Sequence, residues 1–126
     1  MSYDFTTLSP SDFEELIADL LSKEWKTRLE IFKAGKDGGI DLLNSRTPVG
    51  EPHTIVQCKR YGVEKFGQLF ASMVKERVKL DTLKPERYVL VTSVPLSKNN
   101  KEKLLKILKP FCTSTSDIYG ADEINA

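Results

Sequence analysis

The stretch IVQCKRY, Ile55 to Tyr61, begins as a buried strand and then sets a carboxamide and an ammonium two residues apart, at Gln57 and Lys59. Side chains alternate faces along a strand, so Gln57 and Lys59 share one face while Val56 and Cys58 share the other. One face therefore suits a core. The other carries polar groups that core packing does not call for.

Working outward, the preceding segments read as strands joined by short connections. Thr27–Lys33 (TRLEIFK) and Ile40–Asn44 (IDLLN) flank a Gly-rich turn, and HTIVQCKRY forms a third strand, which predicts an antiparallel meander. Before them, SPSDFEELIADLLSKEW predicts a helix with Ser9 as cap, Pro10 in the first turn and Asp12 facing the dipole. Its Phe13, Ile17, Leu20, Leu21 and Trp25 recur at helical spacing. After the third strand, a helix is predicted over Val63–Leu80, with Phe66, Leu69, Phe70, Met73, Val74 and Arg77 or Val78 as its repeat. RYVLVTSV, Arg87–Val94, is a continuous apolar run suited to a central strand covered on both faces. A third helix is capped near Ser97 and stopped by Pro110, and STSDIYG supplies a last short strand. The order αβββαβαβ predicts a three-layer α/β/α domain around a mixed sheet.

The 126 residues fit one domain with a real core, and 40% hydrophobic with 29% charged residues describes a globular chain, not a disordered one. The net charge of +1 is no basic signature, so contact with nucleic acid has to come from local patches. No apolar run approaches the roughly 18 residues of a membrane span, and the first residues do not resemble a secretion signal. The expectation is a cytoplasmic protein with Cys58 and Cys112 reduced. With His53 as the single histidine, a Ser/His/Asp triad or a His-built metal site is disfavoured.

Three elements offer chemistry. Asp41 lies in GGIDLL, inside an apolar strand, although a carboxylate there can also be an exposed strand end. Gln57 and Lys59 form the second, and taken alone they can be solvated surface. The third is Glu14, which shares its helix side with Ile17, Ala18 and Leu21 and so borders the buried face, whereas Glu15 faces water. Carboxylate and amide oxygens are hard ligands suited to Mg²⁺ or Mn²⁺, and a nearby lysine can orient water or neutralise charge on a phosphate. Arg60 and Tyr61 follow directly and can touch phosphate, sugar or base, while Tyr61 can equally pack. Gln68 on the second helix is a further candidate contact. The lysines of SKNNKEKLLKILK can follow a DNA backbone, but a solvated face around Leu104, Leu105, Ile107 and Leu108 is the simpler account.

Asp41 followed after 15 residues by Gln57-x-Lys59, with GKDGGIDL ahead of it and DFEELIADLL at the start, resembles the PD-(D/E)xK nuclease superfamily, and more narrowly its Mrr-type restriction endonuclease branch. The resemblance covers the whole chain and implies a restriction-endonuclease-like fold and Mg²⁺- or Mn²⁺-dependent cleavage of double-stranded DNA. It implies Asp41 as main metal ligand, Gln57 where many relatives carry Glu, Lys59 as catalytic lysine and Glu14 as assisting acid. Asp37 occupies a position this branch often fills with Asp, although Asp before Gly-Gly is ordinary turn chemistry. Lys36 beside it joins Asp37, Arg60, Tyr61 and Gln68 as the expected DNA-contacting set. The departure is Gln57, a neutral amide that leaves the expected metal site short of charge. YDFTTLSPSDFEELIADLL, KAGKDGGIDL, RYVLVTSVPLS and STSDIYGADEIN further resemble the N-terminal effector domain of bacterial antiphage STAND NTPases. That implies a single domain at the start of a longer protein, cutting DNA as a homo-oligomer assembled through modules beyond it. A nucleic-acid-binding or assembly domain of the same fold without activity is the alternative.

Overall fold

In the computed structural model, which describes residues 5–26, 29–31, 42–44 and 54–125 (for residues 6, 29–31 and 42–44 the backbone alone), the Ser9 hydroxyl accepts the Asp12 N–H at 3.0 Å and opens α1, Pro10–Trp25. The cap satisfies a donor that the first turn leaves over, and Pro10 loses no bond there. α1 buries Phe13, Ile17, Ala18 and Leu21. Leu20, expected on the same stripe, lies at its margin and is 39% exposed.

Among the described residues, five strands form one sheet in chain order: β1 (Leu29–Ile31), β2 (Leu42–Asn44), β3 (Thr54–Lys59), β4 (Arg87–Thr92) and β5 (Ile118–Tyr119). β1, β2 and β3 pair antiparallel, as the short connections predict. β3, β4 and β5 pair parallel, which requires crossovers. These are α2 (Phe66–Leu83) and α3 (Lys98–Leu108), the latter capped by the Ser97 hydroxyl on the Asn100 N–H. A short α4, Ala121–Ile124, follows β5.

The two faces of β3 and β4 carry separate cores. Val56, Cys58, Val89 and Val91 pack against Phe5 and the buried stripe of α1. Ile55, Tyr88 and Leu90 pack on the other side against Leu69, Met73 and Leu80 of α2 and Leu104 and Leu108 of α3. The result is the three-layer α/β/α arrangement, with β4 buried on both faces. Cys58 and Cys112 are not in a disulfide and lie in different cores, and burial pushes the Cys112 thiol up to about 11. No helix among the described residues is long and apolar enough to cross a membrane.

α2 departs from its expected limits and stripe. The Lys65 N–H bonds the Gly62 carbonyl in a turn, so the helix opens at Phe66 instead of Val63. It ends where Lys84 adopts a left-handed conformation with its N–H on the Leu80 carbonyl. The buried positions are Leu69, Met73, Glu76 and Leu80, while Val74 and Val78 are 47% and 68% exposed. HTIVQCKRY also ends its ladder early. The Ser93 hydroxyl accepts the Tyr61 N–H at 2.9 Å and donates to its carbonyl at 2.7 Å, and the Ser93 N–H bonds the Lys59 carbonyl at 3.2 Å.

Polar ties close the far ends of the layers. Arg87 donates two hydrogen bonds to Asp117 and lies over the Trp25 ring at 4.6 Å, joining β4, the approach to β5 and the end of α1. Glu123 of α4 meets Lys101 of α3 at 2.9 Å and accepts the Gly120 N–H at 2.7 Å. Burial pushes the Glu123 carboxyl up, but the Lys101 and Gly120 hydrogen bonds outweigh it and hold the group below its usual range. Its stabilisation is therefore present above the unfolded value of about 4.3 and is lost as pH falls through the lower folded value. Glu123→Gln should lower Tm by roughly 2–4 °C at neutral pH and have no effect near the acid limit. Paired thermal melts across acid pH would check this, and an equal loss at all pH values would refute it.

Candidate active site

β3 places the site because its two faces differ in chemistry. Gln57 and Lys59 project to the side of α2 and α3, in register with Leu90 and Thr92 of β4. Gln57 is only 2% exposed. A buried amide needs a partner, and the Tyr88 hydroxyl donates to its Oε1. Lys59 is half-buried at the C-terminal end of β3, beside the C-terminal end of parallel β4, where open α/β sheets receive ligands. Thr92 and Ser93 are buried at that end of β4, and the Ser93 clasp on Tyr61 fixes the backbone that leaves the site.

Lys59 faces an acid on α2. Its Nζ stands 3.7 Å from Glu76 Oε1, which also accepts from Lys79 Nζ at 3.1 Å. Glu76 was missed in the sequence because a glutamate reads as a break in the apolar stripe. The signal was present: Leu69, Met73 and Leu80 repeat at helical spacing, and position 76 falls on the same line.

The remaining candidates are distributed as follows. Glu14 is half-buried on α1, and α1 packs on the face of the sheet opposite to Gln57 and Lys59, so the structure does not bring Glu14 to their side. Arg60 directly follows Lys59, and its Nε is buried with no hydrogen-bond partner among the described residues. Tyr61 packs against the core shared by α2 and α3. Gln68 is exposed in the first turn of α2. Lys36, Asp37 and Asp41 lie outside the described residues. Among the described residues, no three His, Cys, Asp or Glu side chains gather to hold a metal ion. α3 exposes Lys98, Lys103 and Lys106, and Lys109 just beyond it, while Lys101 is engaged with Glu123, which fits the solvated-face reading.

A family model described as "Restriction endonuclease", of the Mrr catalytic type, matches residues 5–106. The chain is 44% identical over 125 residues to "Uncharacterized protein y4cD" of Sinorhizobium fredii (strain NBRC 101917 / NGR234). That alignment covers 99% of the chain and 19% of the relative, so the chain spans about a fifth of the relative's length. No solved structure matches.

Proposed function

The chain belongs to the Mrr-type restriction endonuclease family, and from that membership we propose that it is a metal-dependent endonuclease that hydrolyses phosphodiesters in double-stranded DNA. The observation that carries the reading is a buried carboxamide and a partly buried ammonium on one face, at the C-terminal end of a strand in the parallel half of the sheet. The proposed partner carboxylate is Asp41, one residue before β2. Leu42 pairs with Val56 and Leu43 with Ile55.

The Asp41 carboxylate and Gln57 amide are hard oxygen donors that fit Mg²⁺ or Mn²⁺. The ion would supply Lewis acidity toward the phosphodiester. For Glu14 to join them, its carboxylate has to pass the end of β3, because α1 lies on the other face. Lys59 meets the scissile phosphate and stabilises the charge that grows on it. The Nε of Arg60, without a partner among the described residues, is a donor suited to a neighbouring phosphate. Lys36, Asp37, Tyr61 and Gln68 complete the proposed DNA contacts.

The resemblance to STAND NTPase effector domains carries a wider reading, in which the chain is the cutting segment of a larger cytoplasmic antiphage protein active as a homo-oligomer; the relative's length supports only the larger size. The neutral Gln57, already engaged by Tyr88, favours the alternative of a binding or assembly domain that does not cut. Plasmid cleavage with Mg²⁺ or Mn²⁺ over a wide protein concentration range, with Asp41→Ala alongside, separates the two. The expected result is metal-dependent nicking that Asp41→Ala lowers by about 100-fold or more. DNA binding without cutting at any concentration would leave the alternative standing.

A further inference from the structure

Granting Lys59 its role in the proposed reaction, on which this rests, we infer that Glu76 of α2 is the positioning residue for Lys59. Its carboxylate fixes where the ammonium stands, and Lys79 draws on the same oxygen. Glu76 occupies the line of Leu69, Met73 and Leu80, where an apolar side chain would pack without penalty. It is 6% exposed, and burying a carboxylate is costly unless it is paired.

Lys79, three residues on and itself partly exposed, forms an i,i+3 helix pair at 3.1 Å, which is worth only a few tenths of a kcal/mol in isolated helices, roughly 0.2–0.5. That does not account for the burial. The second cation comes from another element altogether, Lys59 of β3 at 3.7 Å. A lysine has a four-carbon stem and many rotamers. Glu76, held on a long helix packed against the same face as Gln57, confines that stem to one side of the sheet. Two ammoniums share one carboxylate, so positive charge stays in excess, and a phosphate can approach Lys59 without displacing its support.

The test uses the 126-residue chain, its Glu76→Gln variant, Lys59→Ala and the double variant. Glutamine keeps the shape and the packing, and thermal melts confirm that the fold is retained. Acetic anhydride labelling read by mass spectrometry reports the exposure of the Lys59 amine without any turnover. In Glu76→Gln, Lys59 labelling should rise several-fold. kcat should fall by roughly 10- to 100-fold, the range for residues that orient a functional ligand, with KM for DNA unchanged. The double variant should be no slower than Lys59→Ala alone. Unchanged labelling overturns the inference, and so does raised labelling with unchanged kcat. If instead Lys59→Ala cuts at the wild-type rate, the role given to Lys59 fails, and that failure appears in a different variant from the labelling result.

Discussion

Lys59→Ala is expected to slow phosphodiester cleavage by about 100-fold or more while leaving the fold intact. Both halves of this expectation come from where Lys59 sits. It is the last residue of β3, and its ammonium lies outside both apolar cores. Losing it removes no core volume. Glu76 loses one of its two cations but keeps Lys79 at 3.1 Å, so the cost in stability stays small beside the loss in rate. The chemical loss is large because the proposed reaction builds negative charge on a phosphate within reach of that ammonium, in a site partly shielded from water. Lys59→Arg is not expected to restore the rate, since a planar fork does not reproduce a compact point charge. The check is the initial rate of plasmid nicking under saturating metal, with melts recorded for each variant. Wild-type cutting by Lys59→Ala would remove Lys59 from the mechanism.

The second large effect separates two neighbouring residues on α2. Met73→Ala should cost about 2–5 kcal/mol, and Val74→Ala less than about 0.5 kcal/mol. Met73 is 0% exposed, between Leu69 and Leu80 against the sheet, so truncation opens a cavity that the surrounding strands cannot collapse to fill. Val74 is turned to solvent. Urea unfolding of the two variants gives the comparison, read as the shift in midpoint at constant slope. Similar losses at the two positions would mean that the buried stripe of α2 is misassigned.

That pair also shows what the sequence could and could not tell. The helices and strands were legible where periodicity and caps agree: Ser9 and Ser97 open their helices, and the alternation in IVQCK assigns its two faces as observed. The valine-rich run at β4 is buried on both sides, as its composition implied. On α2 the two readings part. Apolar residues sit on both sides of the true stripe, so the expected repeat holds Leu69 and Met73 but also Val74 and Arg77 or Val78, and it passes over Glu76. The interruption is where a helix faces a cation from the sheet, and a linear pattern cannot register a partner 17 positions away in the chain. Layer assignment was hidden for the same reason. Glu14 borders its own buried stripe, as read, but which face of the sheet receives α1 is settled by Val56, Cys58, Val89 and Val91 packing together. Asp41, Lys36 and Asp37 rest on the motif alone.

The composition of that core carries a consequence for biosynthesis. α1 is translated before β4, yet the surface that shelters Phe13, Ile17 and Leu21 is completed only by Val89 and Val91 of that strand. Until the ribosome has released that strand, the apolar side of α1 has only Val56 and Cys58 of β3 as its share of that surface. A nascent chain in this condition exposes sticky surface until β4 emerges, a natural client for chaperones that bind emerging helices. Truncations that stop short of β4 should partition to the insoluble fraction even though they contain every residue of the Asp41, Gln57 and Lys59 motif.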